Sequence, residues 1–313
     1  MCLPEPIRAP PPSGCIGSEK AAVAKPVPAI HPQHAMLWET PVRTFDLPHR
    51  ALLMGVVNVT TDSFSDGGQF IGVEAAVAQA RRLAEEGAEI IDVGGESTRP
   101  GADPVPEEEE LRRVLPVIAR LAGDPRFVLS IDTMKPAVAR AAMAAGAAIL
   151  NDVTGLRDPA MIEVARETGA GVIAMHMQGT PRDMQHAPHY DDVCVEIRDY
   201  FRQTYARCLA CGMIAARLAF DPGIGFGKAL AHNLALLRNL DFMRVAGRPL
   251  VLGVSRKSFI GRAIGSGAPA DRAWPTVALT SHGRTRGANV IRVHDVRPNA
   301  DALRMTEAIA FPT

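Results

Sequence analysis

Eight apolar runs punctuate the chain, each followed by a loop and then by a stretch of helical periodicity. The first, Leu52–Asn58 (LLMGVVN), shows no alternation of apolar and polar residues. That is the pattern of a strand buried on both faces, as in a parallel sheet. The same reading places strands at Glu89–Gly94, Val128–Asp132, Ala148–Asp152, Gly171–Met175, Leu218–Asp221, Pro249–Gly253 and Asn289–Val293. It places helices near Val73–Glu86, Glu107–Leu121, Pro136–Ala145, Pro159–Thr168, Asp191–Cys211, Leu230–Leu240, Asp271–Thr285 and Pro298–Ala310. Pro136 and Pro159 suit a first helical position and Asp158 an N-cap. Gly87, Gly146, Gly169 and Gly212 fall at helix ends, where a left-handed cap favours glycine.

Eight β-α units in a row predict a parallel sheet, and eight is the number that closes a TIM (β/α)8 barrel. An open doubly wound sheet is the competing architecture, but it would place a phosphate-binding glycine loop after the first strand, and this sequence has none there. Ahead of the barrel, Trp38–Leu47 alternates roughly around Pro41 and predicts a short hairpin closing the bottom of the domain. Residues 1–36 are rich in Pro and Ala without periodicity, so they are expected to be a disordered N-terminal extension. Residues 37–313 then form one domain.

Composition narrows the function. Lys plus Arg and Asp plus Glu are each 34, so the formal net charge is zero, and aromatics are 5% of residues. Neither attraction to nucleic acid or anionic membrane nor a base-stacking surface is indicated. No uninterrupted apolar run reaches the roughly 18 residues of a membrane helix. Five cysteines, an odd number in a long chain, argue against a disulfide framework and for a cytoplasmic location. Cys208 and Cys211 form a lone C-x-x-C; with no second pair, two residues on one helix is a sufficient reading.

The candidate chemistry lies at the C-terminal strand tips, where parallel α/β folds keep their sites. In order they carry Asn58; Glu96, Ser97, Thr98 and Arg99; Asp132 and Thr133; and Asn151 and Asp152. They continue with His176 and Gln178; Asp221; Ser255, Arg256 and Lys257; and Arg292, His294 and Asp295. A single polar tip residue is often structural. Eight in succession are better explained by a polar ligand, because each buried unpaired polar group costs about 1–3 kcal/mol. Asp132, Asn151 and Asp221 offer acceptors and amide groups suited to a flat heterocycle rich in N–H groups. Lys257, Arg292 and His294 come from strands seven and eight, the usual phosphate end of such barrels, and cations there suit an anionic leaving group. Asn58 is a neutral oxygen ligand of the kind Mg2+ accepts beside substrate phosphates. Loop one (Thr60–Phe70) and loop two (Gly95–Pro106) are expected to close as lids that exclude water.

Two look-alikes fail on inspection. Asp221 to Lys228 (DPGIGFGK) resembles a phosphate loop, but Pro222 replaces the required glycine and Ala229 the Ser or Thr. GSGAPA at 265–270 matches a dinucleotide pattern by letters, yet follows no strand.

The motifs MGVVNVTTDSFSDGG, IDVGGESTRPGA, SIDT, ILNDVTGL, MHMQGTP, DPGIGFGK, GVSRKSFIG and IRVHDV run in order over about Leu52 to Val296. This set resembles the dihydropteroate synthase family, whose fold is a TIM barrel. The resemblance implies condensation of (7,8-dihydropterin-6-yl)methyl diphosphate with 4-aminobenzoate to 7,8-dihydropteroate and diphosphate, with Mg2+, in a homodimer. It implies that Asn58 helps bind Mg2+, and that Asp92, Asp132, Asn151, Asp221 and Lys257 hold the pterin. By the same likeness Thr98, Arg99, Arg292 and His294 lie near the diphosphate. Ser97, Thr98, Pro100, Phe226 and Ser258 lie near the aminobenzoate, where sulfonamides compete in this family. One departure is Thr61, which stands where the family usually has proline.

Three other readings stay open. A pterin-dependent methyltransferase on the same barrel would have no use for the diphosphate set, notably Arg292, His294 and Ser97-Thr98-Arg99. A barrel metallohydrolase would want His-x-His after strand one, where Asn58 stands. A non-catalytic pterin-binding paralogue would bind pterin without releasing diphosphate.

Overall fold

The apolar runs become eight parallel strands because each is buried on both faces, by barrel contents inside and helices outside. The computed structural model describes residues 36–59 and 69–312. The N-terminal extension up to residue 35, and loop one through residue 68 with Thr61, lie outside the described residues. A hairpin of β1 (Leu37–Glu39) and β2 (Thr44–Asp46) precedes the barrel. The barrel strands are β3 (Leu52–Asn58), β4 (Ile90–Gly94), β5 (Val128–Asp132), β6 (Ile149–Asp152), β7 (Gly171–Met175), β8 (Leu218–Asp221), β9 (Val251–Gly253) and β10 (Val290–Val293). They are hydrogen-bonded in the order β8-β7-β6-β5-β4-β3-β10-β9. A parallel bridge between Phe220 and Leu250 closes the ring, with the Phe220 amide donating to the Pro249 carbonyl at 3.0 Å.

The outer helices are α1 (Gln69–Glu85), α2 (Glu107–Leu121), α3 (Pro136–Ala144), α4 (Pro159–Thr168), α5 (Val193–Ala210), α6 (Leu230–Arg238), α7 (Ser258–Ile264), α8 (Ala273–Thr285) and α9 (Val296–Ala310). Their ends follow local chemistry. Asp158 accepts from the Ala160 amide at 2.9 Å, and Gly169 ends α4 at φ 72°. The α5 helix starts at Val193, later than the pattern predicts, because Asp192 accepts from the Cys194 and Val195 amides as its cap. The α7 helix is an element that the apolar periodicity misses. Its seven residues directly follow the Lys257 tip and are too short to show a period. The pattern also carries α6 through Leu240, but that segment tightens into a 3-10 turn at Leu240–Met243.

Strand parity sorts the barrel interior. Leu52, Ile90, Val128, Ile149, Ile173, Ala219, Val251 and Val290 form one apolar cluster with Trp38, Phe45 and Leu47 of the hairpin. The hairpin therefore plugs the N-terminal end of the barrel. The Trp38 indole donates to the Arg217 carbonyl at 3.0 Å and its ring lies 5.9 Å from Phe45. A separate and larger apolar shell fills the space between strands and helices. Among the described residues, no helix is long and apolar enough to cross a membrane.

Candidate active site

Inward positions recur every second residue along a strand. Two residues beyond the apolar layer, the inward positions are Asp92 on β4, Ser130 on β5, Asn151 on β6, Asp221 on β8, Gly253 on β9 and Arg292 on β10. The Arg292 guanidinium links them across the barrel. Its Nε donates to Asp92 at 2.7 Å and its terminal nitrogen to Asp132 at 2.7 Å. The Asn151 amide donates to the same Asp92 oxygen at 3.1 Å. The other Asp92 oxygen is buried and unpartnered. A buried acceptor left open in this way is a ready seat for a ligand N–H.

Asp221 and Lys257 form the second half. One Asp221 oxygen accepts from the Gly223 amide at 2.7 Å. A Cβ placed on Gly253 would stand 3.6 Å from the other Asp221 oxygen, 3.8 Å from Lys257 Nζ and 3.9 Å from the Arg292 Cβ. The three charged residues thus converge over a floor that has no side chain. Lys257 Nζ donates to the Ile224 carbonyl and lies 4.5 Å from the centroid of the Phe226 ring.

The titration behaviour follows from burial. Desolvation pushes Asp132 up to about 7 although Arg292 pulls it down. Asp221 is also raised by burial, against Lys257. Burial pushes Lys257 down to about 8, with Asp221 opposing. His294 is pushed down to about 4, first by burial and then by Arg292, Arg256 and Arg99. Its Nδ1 lies 3.0 Å from the Ser255 hydroxyl. His294 is therefore a neutral imidazole near pH 7 and not the third cation that residue type alone suggests.

The remaining expected residues stand apart from this network. Ser97 and Thr98 are half-buried, and Arg99 and Pro100 exposed, in loop two. Loop two is held at its base by Arg113, which donates to the Gly95 carbonyl at 2.8 Å. Lys135 fastens it further by bridging Glu96 and Glu110. Its far side meets the loop after β7, where the Gly101 amide donates to the Pro181 carbonyl at 3.2 Å. Ser258 is exposed at the start of α7. Asn58 is exposed at the tip of β3, and its amide makes no side-chain hydrogen bond among the described residues. Among those residues no cluster of three or more His, Cys, Asp or Glu could hold a metal ion. An amide oxygen with no side-chain partner and no acidic cage among the described residues fits an ion that takes most of its ligands from phosphate and water, as Mg2+ does. Cys208 is buried in α5 with its thiol pushed up to about 11, while Cys211 is exposed at the helix end.

Two features escape a reading of strand tips. Asp92 lies inside β4, not at its tip, and its one signal is a lone carboxylate within the apolar run IIDVG. Lys228, dismissed with the phosphate-loop look-alike, is completely buried behind Phe226.

A closed eight-stranded barrel with a polar layer at its C-terminal end matches known proteins along most of its length. The family described as "Pterin binding enzyme" matches residues 54–294. The chain belongs to this family. Within it, the chain is 46% identical over 265 residues to the dihydropteroate synthase of Escherichia coli, covering 85% of this chain and 93% of that one. It is similar to the Xanthomonas albilineans dihydropteroate synthase solved with 4-aminobenzoic acid, at TM-score 0.82 and 45% identity, covering 90% of this chain and 100% of that one. It is also similar to the Burkholderia cenocepacia dihydropteroate synthase complexed with 7,8-dihydropteroate, at TM-score 0.80 and 40% identity, covering 88% and 96%.

Proposed function

We propose that this chain is a transferase that joins (7,8-dihydropterin-6-yl)methyl diphosphate to 4-aminobenzoate, giving 7,8-dihydropteroate and diphosphate. The observation that carries the reading is the layer of Asp92, Asn151, Asp132, Arg292, Asp221 and Lys257, with one Asp92 oxygen buried and open. Its acceptors match the N–H edge of a pterin. The relatives' bound 4-aminobenzoic acid and 7,8-dihydropteroate supply the two other chemical names.

In this reading Asp92, Asn151 and Asp221 hold the pterin, and Lys257 lies beside it over the Gly253 floor. Arg292 and Lys257 face the leaving group as cations, His294 as a neutral hydrogen-bonding group, and Thr98 and Arg99 from loop two. Asn58 would help hold Mg2+, which would supply further charge to neutralise the departing diphosphate. The carbon–oxygen bond breaks with its electron pair leaving on diphosphate. The positive charge left on the pterin methylene is stabilised by Asp132 and Asp221, placed in a low-dielectric site before the reaction. The aniline nitrogen then forms the new carbon–nitrogen bond and releases a proton. Ser97, Pro100, Phe226 and Ser258 border the aminobenzoate.

A homodimer and a cytoplasmic location belong to the same reading. Trp274, Met305 and Ile309, on α8 and α9, are 77%, 61% and 70% exposed, and a second copy would cover them. Molar mass in solution tests this. The reaction is tested by diphosphate release from the pterin diphosphate, expected to require both 4-aminobenzoate and Mg2+. No release from purified protein sinks the reading. Pterin binding without release identifies a non-catalytic paralogue instead.

A further inference from the structure

Lys228 is completely buried, yet its three hydrogen-bond partners are all neutral. Its amine donates to the Phe226 carbonyl at 2.8 Å and to the His176 carbonyl at 3.3 Å, and lies 3.1 Å from His176 Nδ1. Lys135, by contrast, is half-buried and sits between two carboxylates. Burying a lysine without a counter-ion is unfavourable, and here it leaves the amine well below its ordinary range. Such a group calls for a local reason.

The reason is the loop it closes. After β8, residues 223–227 lie backbone against backbone on the loop leaving β7. Gly223 and Gly227 have φ of 65° and 60°. A Cβ at Gly227 would stand 2.6 Å from the Gln178 carbonyl, and one at Gly223 would collide with the His176 carbonyl. On its opposite side the same loop presents the Phe226 ring and the Ile224 carbonyl to Lys257. Lys228 is the tie between the two sides, because its amine bonds both the β7 end and the residue that carries the ring.

We propose that Lys228 is a positioning residue, which fixes the Phe226 carbonyl against the end of β7 and so holds the Phe226 ring at the Lys257 amine. This rests on the reading that Phe226 and Lys257 border the two substrates. Methionine in place of Lys228 keeps the chain length but leaves the two carbonyls without their donor and the His176 ring nitrogen without its partner.

The test uses the full chain labelled with 13C at the lysine ε-carbons. Its five lysines are Lys20, Lys25, Lys135, Lys228 and Lys257, so the spectrum is simple, and Lys257→Arg assigns the signal of interest. Phe226→Leu defines how far the ring shifts that signal upfield. Lys228→Met is expected to lose most of this shift while remaining folded by circular dichroism, and to raise KM for 4-aminobenzoate about tenfold with a smaller change in kcat. In the double variant Lys228→Met/Phe226→Leu, KM is expected to rise no further than in Phe226→Leu alone. A Lys257 signal unmoved in Lys228→Met, or additive KM effects, overturns the proposal. If Lys228→Met does not fold, His176→Phe removes one hydrogen-bond partner of the Lys228 amine and is expected to move the Lys257 signal part of the way; no movement there is equally fatal. A wild-type protein that releases no diphosphate would overturn the proposed reaction alone, because the lysine spectrum still decides this inference.

Discussion

At the lower end of the barrel Ile90, Val128, Ile149, Ala219, Val251 and Val290 meet the hairpin residues Trp38, Phe45 and Leu47 in a dry apolar layer. Two residues further along the same strands, about 7 Å away, stand Asp92, Ser130, Asn151, Asp221, Gly253 and Arg292. The lower layer gains from every side chain that packs. The upper layer holds Asp221, raised by desolvation like Asp132 just above it, and a buried Asp92 oxygen with no partner. Stability is made at one end of each strand and partly given up at the other, where a ligand can restore it.

The sharpest way to break this division is to exchange the two kinds of damage. Trp38→Ala empties a fully buried site and is expected to lower stability by about 3–5 kcal/mol. At a temperature where the protein stays folded, KM and kcat should not move. Denaturant unfolding with parallel kinetics checks both halves, and a kinetic defect in folded protein would contradict the division. Asp221→Asn should do the reverse. Asparagine can still accept from the Gly223 amide, and it removes a charge that folding disfavours even with Lys257 beside it, so stability is expected to hold or rise. In the proposed reaction it also removes charge facing the developing cation, and kcat should fall about 100- to 1,000-fold. Wild-type turnover would remove the cation-stabilising role from Asp221.

The division also explains what could be seen in the chain. Leu52–Asn58, Val128–Asp132, Gly171–Met175 and Leu218–Asp221 match their expected bounds because burial on both faces makes a strand uniformly apolar up to its tip. That same uniformity hides parity, so the run IIDVG does not reveal which of its residues points inward. Asp92 enters the site through parity and through Arg292, which is 200 positions away in the chain. Likeness to a family could name such residues but not their bonds. The neutrality of His294 depends on burial beside Arg292, and the tie at Lys228 depends on the β7 end. Neither is encoded in local spacing.

Acidity offers a gentler probe of the upper layer. With Asp132 raised to about 7 and Lys257 lowered to about 8, the proposed site needs the first ionised and the second protonated. The expected kcat/KM profile is a bell that rises through about 7 and falls through about 8, by about tenfold per pH unit outside those limits. Stability should run the other way on the acid side. The carboxyl is higher in the folded chain than its ordinary 3.8, so the folded state holds the extra proton between about 4 and 7 and loses stability as pH rises through that window. Asp132→Asn should flatten the stability slope and remove the acid limb from whatever activity is left. An acid limb that survives this change assigns the titration to another group.

The smallest change separates the layers most finely. Gly253 ends β9 at the same inward level as Asp221 and Arg292, and an added Cβ would meet Asp221, Lys257 and Arg292 at ordinary contact distances of 3.6–3.9 Å. Its φ is not in the left-handed region, so alanine fits without strain. Gly253→Ala is therefore expected to stabilise the fold by roughly 0.4–1 kcal/mol through the unfolded chain. The same methyl group fills the floor over which the three charged side chains converge. In the proposed reaction that floor faces the pterin, so KM for the pterin diphosphate should rise while KM for 4-aminobenzoate stays put. Thermal unfolding and two substrate titrations measure the pair of effects. A variant that gains stability with both KM values unchanged would show that the floor is packing space, and that the polar layer begins above Gly253.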